Sequence, residues 1–208
     1  MKRSITRPAI YFIGSLSLLA FAATIISSTN TDPLKKWTTE DEGDGIVLVK
    51  NQNGPTLGYS SKSGVKILTV DGLAFKDLNR NGKLDKYEDW RLPVSERVKD
   101  LASQMSLEQI AGLMLYSGHQ AIPAMGAGPF AGTYDGKKFS EGGIDPAGVT
   151  DQQKKFLLKD NLRHVLVTSV QSPEVAAQWN NNVQAIVEGA GLGIPANNSS
   201  DPRHGTSS

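Results

Sequence analysis

The sequence predicts an α/β protein, and three observations carry that expectation. A β-rich stretch precedes Pro93, amphipathic helices follow it, and near the carboxyl end a strand, a long helix and a second strand succeed one another. Strand, helix and strand at that spacing form a βαβ unit of a parallel sheet. The chain of 208 residues divides into 1–28, a signal or anchor; 29–92, a linker with a small β region and a polar loop; and 93–208, the βα region.

The first residues read as an address. Lys2, Arg3 and Arg7 form a basic start, Ala9 to Ile26 is apolar, and Ala20-Phe21-Ala22 offers a small-x-small cleavage signal. An uncleaved anchor is the competing reading, since about 18 apolar residues just span a bilayer. Removing those three basic residues takes the formal charge from +1 to −2, so no basic surface points to nucleic acid. No other segment is apolar enough to cross a membrane. The absence of cysteine excludes disulfides, thiolate metal sites and a cysteine lipid anchor. The pattern fits an exported protein of a bacterial envelope, periplasmic or beyond.

Residues 29–45, rich in Thr, Asp and Glu, read as a polar linker. "GIVLVK" and "VKILTV" read as two strands of a hairpin, with Asn53-Gly54 as the turn signal between them.

Next comes "DLNRNGKLDKYE", residues 77–88. An EF-hand-like calcium loop needs oxygen donors at positions 1, 3, 5, 7, 9 and 12, with glycine at 6. Those places hold Asp77, Asn79, Asn81, the carbonyl of Lys83, Asp85 and Glu88, and Gly82 stands at the sharp turn. Ca2+ is a hard cation that takes roughly six to eight oxygens, and a glutamate in the last place can supply two. Three carboxylates give modest affinity, nearer extracellular than cytosolic calcium levels. The loop is single and its flank "VDGLAFK" is a poor helix, so a structural clip is expected rather than a paired sensor. A solvated Asn/Gly turn without metal is the alternative.

From Pro93 the periodicity becomes helical. "SERVKDLASQM" opens with Ser95 as N-cap. "SLEQIAGLMLYSG" carries a capping box, Ser106 with Gln109, and sets Ile110, Leu113 and Met114 on one face. Gly118 to Gly148 reads as a long irregular loop. "TDQQKKFLLKDN" has a second capping box, Thr150 with Gln153, and "RHVLVTSV" is a buried strand. "SPEVAAQWNNNVQAIVEGAG" is the clearest helix: Ser172 caps it, Pro173 takes the first turn, and Val175, Trp179, Val183 and Ile186 form one face. "LGIPANNSSDPRHG" begins as a strand and runs into a polar tail.

Two strands and a few helices do not close a barrel, so these residues read as the beginning of something longer. His119 and His164 lack partners at metal spacing, and Glu141 with Asp145 has only proximity to suggest a carboxylate pair. The "NSS" at Asn198 carries no meaning in a bacterial envelope protein.

"FKDLNRNGKLDKYEDWRLPVSERVKDLASQMSLEQIAGLM", "LRHVLV", "WNNNVQAI" and "LGIPANNSSDPRHG" together resemble the amino-terminal part of family 3 glycoside hydrolases, of the exported β-glucosidase type. The resemblance implies the first βα units of a (β/α)8 TIM-barrel-type domain. It implies cleavage of terminal β-D-glucosyl residues from a β-glucoside or oligosaccharide, with retention. Asp201 matches the family's aspartate that accepts hydrogen bonds from sugar hydroxyls, and His204 and Gly205 complete that motif. Read by itself, Asp201 is a cap or turn residue before Pro202. No block matches the family's nucleophile or its acid/base, so no catalytic residue is expected in this chain and no catalytic cofactor. An exported, calcium-stabilised binding module without catalysis is the alternative.

Overall fold

The computed structural model describes residues 35–200. The expected signal and Asp201 lie outside the described residues. Mixed α/β structure is what the chain adopts, with four α-helices and several small sheets among the described residues.

The first sheet is an antiparallel meander of β1 (Trp37–Gly43), β2 (Ile46–Asn51) and β3 (Thr56–Ser60). Seven residues of the expected linker, Trp37–Gly43, are therefore strand. Its exposed Thr, Glu and Asp side chains disguised it, because β1 pairs through its backbone and buries almost nothing. Asn53, with φ at +60°, does turn the chain, but it joins β2 to β3. "VKILTV" supplies β4 (Lys66–Val70), which pairs instead with β5 (Leu73–Asp77) across Asp71-Gly72. Both turn residues have positive φ, the requirement of a tight two-residue hairpin. The expected single hairpin is thus two separate β units.

Helix α1 spans Val94–Gln104 and follows Pro93, with no side-chain cap from Ser95. Helix α2 (Leu107–Leu113) has the expected capping box, Ser106 Oγ accepting from Gln109 N–H and Gln109 Oε1 from Ser106 N–H. It ends at Leu113 with Met114 as its C-cap, and Ile110 and Met114 of the expected face are exposed. Gly112 lies against the carbonyl of Asn161, where an added Cβ would meet the oxygen at 2.5 Å. The chain then extends into β6 (Tyr116–Ile122), a strand hidden by Gly118 and three polar neighbours.

The expected 118–148 loop is therefore shorter. It also contains a small hairpin of β7 (Thr133–Tyr134) and β8 (Lys137–Lys138) and a 3-10 turn at Phe139–Glu141. Helix α3 (Asp151–Leu158) starts at the second capping box, as expected from Thr150 and Gln153. Then come β9 (His164–Val170), α4 (Pro173–Glu188) capped by Ser172, and β10 (Asn197–Ser200). The last strand starts five residues later than "LGIPANNSS" suggests, because Gly191 and Gly193 turn the chain at positive φ.

Strands β6, β9 and β10 lie side by side, in chain order and all parallel. The β9-α4-β10 unit is the βαβ unit read from the sequence. Its core is Val165, Leu157, Leu162, Trp179, Val183 and Val187. Trp179, at 2% exposure, donates through Nε1 to Gln153 Oε1, so a polar group is satisfied inside the core. The sheet is open, and no closed barrel is present among the described residues.

Candidate functional site

Two regions were expected to carry function, and the described residues contain one of them, the 77–88 loop. β5 delivers Asp77 at its last residue, so a rigid strand fixes the first donor position. Asp77 is 2% exposed; its Oδ2 accepts from Gly82 N–H at 3.0 Å, closing the loop across the glycine, whose φ is +75°. Its other oxygen, Oδ1, is buried without a hydrogen-bond partner. A buried carboxylate oxygen left bare is costly, which makes it the loop's most informative atom.

Around it, Asn79 and Asn81 both donate from Nδ2 to Asp85 Oδ2, at 2.5 and 2.8 Å. Their Oδ1 atoms accept from Asn81 N–H and Lys83 N–H. Glu88, 5% exposed, folds back over the loop: Oε1 takes Leu78 N–H at 2.7 Å and Asn79 N–H at 3.3 Å, and Oε2 takes Asp85 N–H at 3.0 Å. Burial raises the Glu88 carboxyl above the ordinary carboxylate value, against the lowering effect of those N–H donors. The neighbouring Tyr87 phenol is pushed up strongly, first by burial and then by Glu88, Asp85 and Asp77. All three carboxylates thus act on one phenol. Among the described residues no three His, Cys, Asp or Glu side chains stand as a ready metal cluster. The backbone frame and the orphaned Asp77 oxygen fit a cation, whereas the two amides present nitrogen to Asp85.

The loop is anchored on the βαβ unit. Arg80 donates from Nη1 to the carbonyl of Gly189, just past α4, at 2.7 Å. Nearby, Glu188 accepts from Ser60 N–H at 2.9 Å and from Lys76 Nζ at 2.8 Å.

The carboxyl ends of β6, β9 and β10 fall together, and Gln171 N–H donates to the Ile122 carbonyl there at 2.8 Å. Asp201 follows β10 directly in the chain but lies outside the described residues. The other sequence candidates have local explanations. His119 Nδ1 lies 2.8 Å from Thr168 Oγ1, and His164 stacks on Tyr116. Glu141 accepts from Lys138 N–H and Asp145 from Ala147 N–H, so each closes its own turn. Asn198 donates to Asn180 Oδ1 at 2.6 Å, which engages the sequon side chain in the fold. A cleft of about 760 Å³ lined by Tyr134, Asp145, Lys154, Asn182 and Ile186 was not foreseen. Its residues come from three separate segments and leave no local sequence signal.

These features define a mixed α/β protein whose parallel strands present their carboxyl ends on one side. No family model matches the chain. Over 143 residues it is 41% identical to the periplasmic beta-glucosidase/beta-xylosidase of Dickeya chrysanthemi, covering 67% of this chain and 19% of that protein. Over 138 residues it is 29% identical to beta-glucosidase C of Emericella nidulans, covering 64% and 19%. The chain spans about a fifth of the length of the curated relatives it matches. With the four motif blocks, this similarity identifies the chain as an amino-terminal portion of the glycoside hydrolase family 3 type.

Proposed function

We propose that this chain is the amino-terminal, sugar-binding part of an exported β-glucosidase-type hydrolase that removes terminal β-D-glucosyl residues with retention. The observation that carries the proposal is β10, third of three adjacent parallel strands, running directly into the Asp201 motif. Sites in βα folds are built at the carboxyl ends of such strands. The similarity to two β-glucosidases supports the same reading. On it, β6, β9 and β10 are the first strands of a (β/α)8-type barrel.

A carboxylate at Asp201 accepts hydrogen bonds from adjacent sugar hydroxyls and holds the ring for reaction. Retention further requires a nucleophile and an acid/base about 5 Å apart. No block in the 208 residues matches either, so this polypeptide alone is inactive on this reading. The test is nitrophenol release from an aryl β-glucoside by this chain and by a longer polypeptide containing it. Turnover only in the longer protein, weakened by Asp201→Ala, supports the proposal. Robust turnover by the 208 residues refutes it.

Calcium in the 77–88 loop belongs to the same reading. Asp77, Asn79, Asn81, the Lys83 carbonyl, Asp85 and Glu88 would hold it, and the bare Asp77 oxygen supports this. The ion's contribution would be charge neutralisation and a fixed loop shape, not catalysis. Calcium should raise the melting temperature, and Glu88→Ala should abolish the rise. Identical melting with calcium and with chelator overturns it. Export is inferred from the basic and apolar start and from the periplasmic relative. Amino-terminal sequencing of secreted material checks it, with a new end expected between Ala23 and Ser28.

A further inference from the structure

The two loop residues that alternate with the first three donor positions, Leu78 and Arg80, both point their side chains at the connection between α4 and β10. Arg80 reaches the Gly189 carbonyl at 2.7 Å. That carbonyl is one of the unpaired acceptors at a helix carboxyl end, where a cation also meets the favourable end of the helix dipole. Gly189 is held on its other side as well, since a Cβ there would meet the Ser63 carbonyl at 2.6 Å. Leu78 packs at the far end of the connection, against Gly193, where an added Cβ would lie 2.9 Å from the leucine side chain. The loop therefore grips residues 189–193 at both ends.

The grip is wired to the donor groups. Glu88 Oε1 accepts from the backbone N–H of Leu78 and of Asn79, the two residues that precede Arg80. Asp77 precedes Leu78 and carries the orphaned, 2% exposed oxygen. An ion that takes up Asp77 Oδ1 and Glu88 must act on the backbone that aims both gripping side chains. Arg80 itself is held at φ +61°, a conformation unusual for a residue with a side chain, so its direction depends on the loop's shape.

Beyond residue 193 the path to β10 is short and tied down. Ala196 exchanges two hydrogen bonds with the Gln184 side chain of α4, and Asn197 N–H donates to the Arg163 carbonyl at 2.7 Å. The strand that follows leads to Asp201.

We propose that calcium binding in the 77–88 loop is linked to the order of the 189–197 connection, with Arg80 and Leu78 as positioning residues acting through Gly189 and Gly193. The proposal rests on the calcium reading given above. Linkage is reciprocal, so tightening the connection also tightens the loop's hold on the ion, by the same factor.

Hydrogen exchange of the whole chain with saturating calcium and with chelator tests this, read at the amides of Ala190, Gly193, Ala196 and Asn197. These amides donate to Val187, Ala190, the Gln184 side chain and Arg163. Calcium should slow their exchange by about fivefold or more, the lower range of a site-to-site coupling. Amides pairing β6 with β9, remote from the loop, should change little. Arg80→Asn removes the guanidinium while tolerating the positive φ. It should still take up calcium in a calorimetric titration, but more weakly, and should lose most of the protection gained at Ala190 and Gly193. Calcium uptake by the unmodified chain without added protection overturns the linkage alone. So does Arg80→Asn with the full gain. No calcium uptake overturns both the linkage and the calcium reading beneath it.

Discussion

Replacing Glu188 with alanine should cost about 3 kcal/mol of folding stability. An acid in the last turn of a helix is disfavoured by the dipole, by roughly 0.3–1 kcal/mol. Glu188 sits there at the end of α4, so its presence requires compensation from outside the helix. Two donors supply it: Ser60 N–H from β3 at 2.9 Å and Lys76 Nζ from β5 at 2.8 Å. The Glu188 side chain is 11% exposed and Lys76 26%, so solvent screens the pair only in part. Breaking a fully buried pair costs about 3–5 kcal/mol. Lys76 keeps the Gly58 carbonyl at 3.1 Å and some water, which lowers its share to roughly 2 kcal/mol. The Ser60 N–H, stripped of its acceptor, adds about 1 kcal/mol. Relief at the helix end returns a few tenths. Urea unfolding should show this loss, with a drop in Tm of roughly 6 to 12 °C for a body of this size. A double-mutant cycle with Lys76→Met should give a coupling of about 1–2 kcal/mol. A loss under about 1 kcal/mol, or a coupling near zero, would mean that α4 and the β units are joined by packing alone.

Two further changes test the helical side of the sheet. Asp151 accepts from Gly136 N–H, the Thr133 hydroxyl and Asp135 N–H, which together hold its carboxyl below the usual aspartate value. A lowered folded pKa means stability present above pH 3.8 and lost as pH falls through the folded value. The β7–β8 hairpin should therefore loosen in acid, and Asp151→Ala should speed tryptic cleavage at the already exposed Lys137 and Lys138 at neutral pH; an unchanged cleavage rate would refute this. Trp179→Phe should cost about 1–2 kcal/mol and Trp179→Ala about 3–5 kcal/mol, measured by urea unfolding. Equal losses would place the energy in the hydrogen bond to Gln153 rather than in the buried ring.

The legible parts of the fold were those whose signals are local. Thr150-Gln153 and Ser106-Gln109 satisfy backbone donors within four residues, so their capping boxes stand in the sequence and in the structure alike. The α4 stripe was legible because one face of sixteen residues is apolar. Strands β1, β3, β5, β6, β7 and β8 were missed, and three of them, β1, β3 and β6, share a different physics. They hold together by backbone pairing with neighbours, and most of their side chains are exposed, small or polar, so little alternation is left to read although Ile122 at the end of β6 is buried. The 77–88 loop was legible as a spacing of oxygen donors. Its attachment to Gly189 and Gly193 was not, because contacts across more than a hundred residues have no periodicity.

The open sheet also makes its two edges unequal. Among the described residues β10 and β6 are the outer strands of the parallel sheet. An unpaired edge is a template for another chain unless polarity or brevity blunts it. β10 has both protections, with four residues that are all Asn or Ser. β6 has seven residues and starts beside exposed Met114, Leu115 and Tyr116, at 79%, 54% and 58% exposure. Self-association of the isolated chain should therefore run through β6. A charge at that edge, Leu115→Lys, should lower the light scattering of concentrated protein several-fold, because two like charges would face each other across any paired edge. Ser199→Lys on β10 should have little effect. If both lower it equally, or neither does, the edges are not what drives association, and the exposed faces of α1 and α2 with Val98 and Leu107 become the place to substitute next.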